Sequence, residues 1–578
     1  MSDQVVATRL VGQGPISDEV AALFRWAALV TGGFSVLAFL LLTFYEGVPR
    51  SSDFNRWEEP AQLSILIVVV AGYLVALRWE GTGGGVMVVG AIALGVLASV
   101  AYHPVASLFA ALAFFIPGAL FVLRWQRGKP LVAVAVLTLS MATLLAAGAY
   151  ASDYVYTYYF GPTHPESPLE AQPVDLVEWI WAGGVGPTSV TVNAKLDRPD
   201  QAARLAVSES PDMSEPRYSA YATAPSDSEG IVSITLDDLE PDHEYHYAIE
   251  ADGHMDRTRQ GRFRTFPDGN ASFTIAFSSC ARVGSNGSVF DTIRGHDPLL
   301  FLITGDFHYS NITTNDLDAL LDTMDSQLEQ PAQQALYSNS PVAYVWDDHD
   351  YGGDGADGAS AARPAAVASY RYSVPHYDLP DDDGAIYQAF TIGRVRFIIT
   401  DTRSQRSPAA DPDGPGKTML GADQLAWFKQ LLLDANGAYP LIVWVNPDPW
   451  IAEAAPGADT WGGYATERRA IADFIADNNI EGLAMLSGDA HMLAIDDGTN
   501  SDYSSEGSGG FPVMHAAPLD KHSSLKGGPY SEGTSLASGQ FGLMTVTDNG
   551  TTVDVEWSGR NYKDEELLRY EFSLPARD

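Results

Sequence analysis

The sequence has almost no cysteine and very little lysine: one Cys and seven Lys in 578 residues. A single Cys excludes an internal disulfide framework and any zinc module built on several thiolates. The net charge of −39 excludes the basic surface that a general nucleic-acid binder needs. The apolar content of 46% is too high for a disordered chain, and the length predicts several domains.

The charged residues are unevenly distributed along the chain. Residues 1–150 hold 8 acidic and 8 basic side chains, so the whole net charge lies in the rest of the sequence. A neutral apolar part beside an acidic, lysine-poor part is typical of a salt-adapted membrane protein, and we predict a halophilic, haloarchaeal origin. The alternative is an ordinary acidic surface that keeps the protein soluble.

The N-terminal part contains apolar stretches that approach the roughly 20 residues needed to cross a bilayer. Five can be recognised, at 27–45, 61–77, 85–102, 105–123 and 131–150. With a cytoplasmic N-terminus, six basic residues fall inside and only Arg50 and Arg56 outside, as the positive-inside bias requires. We expect a multi-pass helical membrane domain over residues 1–152 that contacts the lipid bilayer, with the chain after Tyr150 extracellular. A single bent hydrophobic region around His103–Pro104 would change this topology.

From residue 153 to 268 the pattern changes to short alternating runs separated by Pro, Asp and Gly. Examples are Ser189–Ala194, Ile231–Leu236 and Tyr245–Ile249. Alternation with period two at this spacing predicts a small antiparallel β-sandwich. The segment LDDLEPDHEYHYAI, followed by GRFRTFP, resembles the fibronectin-III-like module that precedes the catalytic domain in some secreted phosphatases. We expect a linker and such a module here, acting as a spacer or a lid.

Over residues 269–578, apolar strand-like runs each end in a chemically reactive loop. The loops are SSCAR, TGDFHY, DDHDYGG, DTRS and SGDAH. Their alternation with helical segments such as Leu317–Leu328 predicts an α/β domain. Because ligands collect beyond the carboxyl ends of strands in such sheets, we expect these loops to meet at one site. They carry Cys280, Asp306, His308, Tyr309, Asp347, Asp348, His349, Asp350, Asp489 and His491.

These side chains indicate a metal site. Carboxylate and imidazole suit divalent or trivalent ions, and thiolate or phenolate suits a strong Lewis acid such as Fe(III). The three Asp residues of DDHD oppose one another's ionisation unless a cation lies between them. A two-metal site can activate water and stabilise the leaving oxygen of a phosphoryl transfer.

Taken in order, GD-x-x-Y, D-D-H-D and S-G-D-x-H resemble the motifs of the calcineurin-like metallophosphoesterases. More narrowly, the sequence resembles the alkaline phosphatase D (PhoD-like) family over roughly residues 165–565. The resemblance implies a four-layer α/β/β/α sandwich and a hydrolase of phosphate esters, an alkaline phosphatase or phosphodiesterase. It also implies two or more metal ions, Fe(III) with Ca(II) or another divalent cation.

The resemblance implies roles for individual residues. Asp306 would bridge two metals, His349 would assist the leaving group, and Arg403 of DTRS is a candidate phosphate clamp. The remaining predicted metal ligands are Cys280, Tyr309, Asp347, Asp348, Asp489 and His491. Asn446 stands where the wider superfamily has a further metal-binding His.

Ordinary structural roles remain as alternatives for several of these residues. Cys280 can be a small buried hydrophobe. Asp347 and Asp350 can cap a helix or a turn. His308 can be a hydrogen-bonded polar residue or one that supports a metal ligand. Arg403 can form a structural ion pair instead of a contact with phosphate.

We therefore expect a membrane-anchored, extracellular phosphatase or phosphodiesterase that hydrolyses phosphate esters by metal-activated water and scavenges phosphate. One alternative is a phosphodiesterase specific for nucleic acid or phospholipid. In that case nucleic acid is a substrate, and we expect no other nucleic-acid partner. The other alternative is a non-catalytic surface binding or sensing module with a degenerate metal site.

Overall fold

The computed structural model describes residues 18–46, 58–101, 104–125, 165–380, 384–521 and 523–577. The chain separates into two compact units, Met1–Tyr159 and Phe160–Asp578. The boundary lies close to the predicted end of the membrane domain at residue 152.

The described part of the first unit is helical. Its helices are α1 (Asp18–Glu46), α2 (Glu58–Ala76), α3 (Glu80–Ala101) and α4 (Pro104–Trp125). They coincide with the first four predicted apolar stretches, whereas the fifth, 131–150, lies outside the described residues. Within the described ranges, Asp18–Leu37 is the one helical segment both long and apolar enough to cross a membrane. The described helices thus support one candidate span, where the sequence predicted five.

One carboxylate joins the ends of three of these helices. Glu80 at the start of α3 pairs with Arg124 at the end of α4, and its Oε1 lies 3.6 Å from Nε of Arg25 in α1. The apolar side chains Leu23, Val30 and Phe34 of α1 are exposed. Because both pair with Glu80, Arg25 and Arg124 share one end of the unit.

In the second unit, a nine-stranded sheet runs in the order β21-β20-β19-β9-β10-β11-β1-β2-β5. Its strands are β1 (Val177–Gly183), β2 (Val190–Leu196), β5 (Ile231–Leu236), β9 (Phe273–Ser278), β10 (Leu300–Thr304), β11 (Val342–Val345), β19 (Gln540–Asp548), β20 (Thr552–Asn561) and β21 (Glu566–Pro575). Strands β9, β10 and β11 are parallel neighbours, so their carboxyl ends lie side by side.

A seven-stranded sheet runs in the order β12-β13-β14-β15-β17-β16-β18. Its strands are β12 (Gln388–Ile392), β13 (Val395–Ile399), β14 (Leu441–Val445), β15 (Leu483–Ser487), β16 (Leu493–Asp496), β17 (Val513–His515) and β18 (Gly533–Ser535). The helices of this unit are α5 (Ser288–Gly295), α6 (Leu317–Leu328), α7 (Pro331–Tyr337), α8 (Asp348–Tyr351), α9 (Arg363–Ser373), α10 (Ala422–Ala435), α11 (Ala465–Asp477) and a 3₁₀ turn at Trp461–Tyr464.

Strand β14 shows how the layers stack. Val443 and Val445 face a core shared with Ile275 and Leu302 of the nine-stranded sheet. The alternate residue Trp444 faces a second core with Phe428 of α10. Successive side chains of a strand point to opposite faces, so β14 separates a sheet-on-sheet core from a sheet-on-helix core. The predicted α/β fold with β-rich parts is confirmed.

The predicted sandwich adds a second small sheet. It consists of β3 (Arg204–Ser208), β4 (Arg217–Tyr218), β6 (Glu244–Ala251), β7 (His254–Met255) and β8 (Gly261–Arg264). Its partner strands β1, β2 and β5 continue the nine-stranded sheet, because Gly183 of β1 pairs with Val342 of β11. A Cβ on Gly183 would lie 2.6 Å from the Val342 carbonyl oxygen, so this junction requires glycine.

The buried Asp256, just after β7, ties its own loop to the start of β1. Its carboxylate accepts hydrogen bonds from the backbone N–H groups of Leu176, Val177, Thr258 and Arg259, at 2.7–3.1 Å, and from the Thr258 hydroxyl. Burial by itself would raise the pKa of Asp256, but these hydrogen bonds outweigh it and lower the pKa. The folded state is therefore stabilised by the ionised carboxylate.

We predict that Asp256→Ala destabilises the second unit by about 3 kcal/mol, because several buried N–H donors lose a charged acceptor. Because the folded pKa is depressed, this contribution is present above the unfolded pKa of about 3.9 and disappears as the pH falls through the folded value. Urea unfolding at pH 7 and pH 3 measures it, with the exposed Asp237→Ala as control. Equal stability of both variants at pH 7 would contradict the assignment.

Candidate metal centre

The five predicted loops follow neighbouring strand ends, as expected. Cys280 follows β9, Asp306 follows β10, and Asp347 with Asp348 follows β11 on the nine-stranded sheet. On the facing sheet, the DTRS loop follows β13 and Asp489 follows β15. The stacking of the two sheets brings these loops together from both sides.

Asp306 lies at the centre of the group. Its Oδ2 accepts a hydrogen bond of 2.6 Å from the Tyr309 hydroxyl, and the Cys280 thiol lies 3.7 Å from the same oxygen. The Tyr309 oxygen is also 2.6 Å from Nε2 of His491. Cys280, Asp306 and His491 each offer one atom within 4.8 Å of the others. A thiol, a phenol, an imidazole and a carboxylate thus converge on one point.

Two further groups of possible ligands share Asp306. One consists of Asp306, Asp347 and Asp489, and the other of Asp306, Asp348 and His349, again within 4.8 Å. Within the described part of the chain, Oδ2 of Asp347 and Oδ1 of Asp348 are buried and have no hydrogen-bond partner. Buried carboxylate oxygens of this kind require a partner, and a cation supplies one.

The backbone supports the same grouping. The φ angles of Cys280, Asp306, Asp489 and His491 lie between 52° and 65°, in the left-handed region that non-glycine residues rarely adopt. Such strain costs about 1–3 kcal/mol per residue and persists where the surrounding structure enforces it. Four predicted ligands share this conformation, so the loops are shaped to turn their side chains inward.

Two glycines allow the loops to approach closely. A Cβ on Gly305 would lie 2.7 Å from Cβ of Asp347, and φ of Gly305 is +100°. A Cβ on Gly488 would lie 2.1 Å from the Thr304 carbonyl oxygen. The glycine of the GD motif is therefore needed for two neighbouring loops of the nine-stranded sheet to touch, and the glycine of the SGD motif for strand ends of the two sheets to touch.

Burial and like charge dominate the electrostatics of the site. Burial raises the pKa of Asp306 well above its usual range, and the carboxylates of Asp348, Asp350 and Asp489 raise it further. Burial likewise raises the pKa values of Cys280 and Tyr309. These groups lose their protons easily only if a strong positive charge is close.

Asp489 differs from Asp306. Burial would raise its pKa, but the adjacent Lys526 ammonium outweighs this effect and lowers it. Nζ of Lys526 lies 2.5 Å from Oδ1 of Asp489. The donor set and the unpartnered carboxylate oxygens therefore fit metal ions, and Lys526 supplies the countercharge on one side.

His349 lies at the edge of the group, with 18% of its side chain exposed. Its ring packs against Tyr309, with centroids 4.0 Å apart, and Nδ1 lies 2.5 Å from Oδ1 of Asn311. Burial lowers the pKa of His349, against the raising effect of Asp348 and Asp354. With Nδ1 directed at Asn311, Nε2 is the atom available to a ligand.

The structure favours the ion-pair alternative for Arg403. The side chain is fully buried, and its Nε donates to Oδ1 of Asp347 at 2.5 Å. Its remaining N–H groups donate to Asp448, to Asp459 and to the Ala356 carbonyl. All its donors are in use, so Arg403 orients Asp347 and does not contact a substrate in this arrangement.

Three other candidates lie outside the ligand groups. Asp350 accepts hydrogen bonds from the N–H groups of Asp347 and Phe307 and from the Tyr344 hydroxyl, and burial raises its pKa to about 7. It therefore holds the two loops together. Nδ1 of His308 lies 3.1 Å from the Ser310 hydroxyl, and burial lowers its pKa to about 3. The side chain of Asn446 donates a hydrogen bond to the Asp448 carbonyl and accepts one from the Trp461 indole N–H.

Sequence reasoning missed several residues that act at this site. Asp448 and Asp459 lie far from the DDHD motif in sequence, and only the fold brings them to Arg403. Asp448 does follow β14, a strand-end position that could have drawn notice. Lys521 and Lys526 could also have been found, because lysine is rare in this chain. No sequence signal marked Asn311.

Two family models match the chain. Residues 275–521 match the PhoD-like phosphatases, and residues 17–133 match a domain of unknown function (DUF7670). The matched phosphatase region contains Cys280, Asp306, His349 and Asp489. The four described N-terminal helices lie within the second match.

A curated relative is alkaline phosphatase D of Bacillus subtilis (strain 168). It is 25% identical over 311 residues, which cover 45% of this chain and 53% of the relative. The chain thus spans about half the length of that relative. A solved structure of PhoD shares 18% identity with a TM-score of 0.56, covering 71% of this chain and 92% of that one. The matched region therefore has a PhoD-like fold.

We predict that Arg403→Met lowers the stability of the metal-free protein by about 3–5 kcal/mol, because it leaves the buried carboxylate of Asp347 without a countercharge and leaves Asp448 with Arg406 alone. Guanidinium unfolding measures this loss, and the exposed Arg217→Met serves as control. If Arg403→Met unfolds like the control but raises KM for a phosphate ester, Arg403 contacts substrate after all.

Proposed function

We propose that residues 269–578 form a metal-dependent phosphatase or phosphodiesterase that hydrolyses phosphate esters outside the cell and supplies phosphate by scavenging. The observation that carries this proposal is the sharing of Asp306 by a thiol–phenol–imidazole group and a carboxylate group. One carboxylate between two sets of ligands is suited to two cations. For the rest of the chain, we propose that residues 1–152 form a membrane domain. Residues 153–268 would form a linker and a fibronectin-III-like sandwich.

The two groups differ in the ions that they suit. Cys280, Tyr309 and His491, with Asp306, combine soft and anionic donors that fit Fe(III). Asp347 and Asp489, with Asp306, offer only carboxylate oxygens, which suit Ca(II) or another hard divalent cation. Asp348 and His349 form a third group with Asp306, in which the possible ligand atoms lie within 4.8 Å of one another. We propose a metal-binding set that excludes His349 and consists of Cys280, Asp306, Tyr309, Asp347, Asp348, Asp489 and His491.

The chain's own residues would divide the remaining work. Bound cations would supply Lewis acidity and activate water for attack on phosphorus. His349, at the partly open edge, would act as the imidazolium: Nδ1–H donates to Oδ1 of Asn311 and fixes the ring, and Nε2–H would be the proton donor to the leaving oxygen. Arg403 keeps Asp347 oriented from the buried side.

The N-terminal helices support membrane anchoring. Arg25, Glu80 and Arg124 lie at one end of the unit, where a positive-inside orientation places the cytoplasm. The neighbouring Trp26, Trp79 and Trp125 are exposed, as expected of aromatic side chains at a membrane interface. We propose a multi-pass anchor with the phosphatase outside, and a salt-adapted acidic surface on the exposed part.

We predict that the full chain hydrolyses phosphate esters and that His349→Ala loses activity unevenly. For an alkyl ester, whose leaving oxygen needs a proton, the loss should be on the order of 10²–10⁴-fold. For an activated aryl ester it should be clearly smaller. Both rates are measured alongside metal content, with the exposed His254→Ala as control. Equal losses would exclude the acid role, and loss of metal would make His349 a ligand.

We predict that protease added to intact cells digests the phosphatase region, because an odd number of spans and a cytoplasmic N-terminus place it outside. A tag on the N-terminus should stay protected until the cells are lysed. If the phosphatase region is protected in intact cells, the five-span topology and the extracellular location are both wrong.

A further inference from the structure

A phosphate ester brings negative charge into an acidic site, so the site needs cationic groups that face the substrate. The buried Arg403 and Arg406 do not meet this need. Both donate to Asp448 and Asp459, and both side chains are fully buried. Two lysines among the described residues, Lys521 and Lys526, lie close to the predicted ligands.

Both lysines lie on the loop after β17, which is fastened to two ligand-bearing loops. The Leu519 N–H donates to the Ser279 carbonyl at 2.9 Å, next to Cys280. The Ser524 N–H donates to the His491 carbonyl at 3.0 Å. The loop therefore crosses the candidate metal centre between the Cys280 loop and the His491 loop, and its position is fixed by backbone contacts.

The two ammonium groups contact different residues of the centre. Nζ of Lys526 contacts Asp489, and 40% of its side chain is exposed. Nζ of Lys521 lies 3.9 Å from the centre of the Tyr309 ring, the ring against which His349 packs. An ammonium has three donors, and the contact with Asp489 uses one of those on Lys526. Neither lysine is enclosed as Arg403 is.

Lysine is rare in this chain, so its placement is informative. Seven occur in 578 residues, and two stand within six positions of each other over the most acidic buried site. A lysine that served only to balance Asp489 would account for Lys526 but not for Lys521, whose described contact is an aromatic ring.

We propose that Lys521 and Lys526 bind the non-bridging oxygens of the substrate phosphate, the role that the sequence assigned to Arg403. This rests on the proposed function and adds the residues that recognise the phosphoryl group. Lysine binds phosphate as a point charge. The pair therefore favours an anionic phosphate ester but does not select among the alcohol groups that the phosphate is esterified to.

The test uses the metal-loaded full chain with inorganic phosphate as the probe. Lys521→Met and Lys526→Met should each weaken phosphate binding, measured by calorimetry, by about tenfold to a hundredfold, the scale of one charge-assisted hydrogen bond. KM for an aryl phosphate should rise in parallel, with bound metal unchanged. Lys563→Met is the matched control, since Lys563 is exposed and also lies near a tyrosine ring, that of Tyr562.

Unchanged phosphate affinity in either variant would overturn the proposal. Loss of metal from Lys526→Met would also overturn it, because Lys526 would then only organise Asp489. Lys521→Gln and Lys526→Gln repeat the test if a Met variant folds poorly. A wild-type chain that binds phosphate but hydrolyses no ester would refute the proposed function and leave the lysine pair standing.

Discussion

The structure depends on the burial of several carboxylates at one place. Asp306, Asp347, Asp348 and Asp489 are all buried where the two sheets meet. An ionised carboxylate taken out of water costs several kcal/mol unless a countercharge compensates it. Two cations compensate part of this charge: Arg403 pairs with Asp347, and Lys526 pairs with Asp489. Among the described residues, Oδ2 of Asp347 and Oδ1 of Asp348 have no hydrogen-bond partner. These buried, unpaired oxygens are a main reason for proposing that metal ions bind here.

Much of the surrounding fold serves to hold this cluster. Parallel strands of one sheet and strands of the facing sheet deliver the loops, and Gly305 and Gly488 let the loops touch. Asp350 ties the Asp306 loop to the Asp347 loop through two backbone N–H groups. Four candidate ligands have positive φ angles, a strained backbone conformation that the surrounding structure enforces. This conformation turns their side chains toward the cluster.

The sequence allowed the strands and their reactive ends to be predicted, because apolar runs and motif loops are local signals. The run Ile231–Leu236 and the helix Leu317–Leu328 appear in the structure with the predicted bounds. Contacts between distant segments could not be predicted in this way. Nothing local to DTRS shows that Arg403 meets Asp448 and Asp459, and nothing local to β1 shows that it joins β11.

The candidate site shows the same division between local and distant signals. The motifs predicted that Asp306 lies in one site with Cys280, Tyr309 and His491. The rotamer of each side chain depends on packing, which the motifs do not show. Asn446 was expected near the metals because it stands where the wider superfamily has a metal-binding His, and its side chain instead contacts Trp461. Lys521 and Lys526 lie beyond the last recognised motif, so only their scarcity in the sequence could have marked them.

The central claim is that Asp306 joins two sets of metal ligands that carry phosphoesterase activity. Metal content and aryl phosphate hydrolysis of the full chain, measured for the wild type and for Asp306→Asn, test it most directly. The account predicts at least two bound metal ions per chain in the wild type, with loss of metal and of at least about 10³-fold of the activity in the variant, the scale of losing a central catalytic group. A variant that keeps its metals and its activity would contradict the claim.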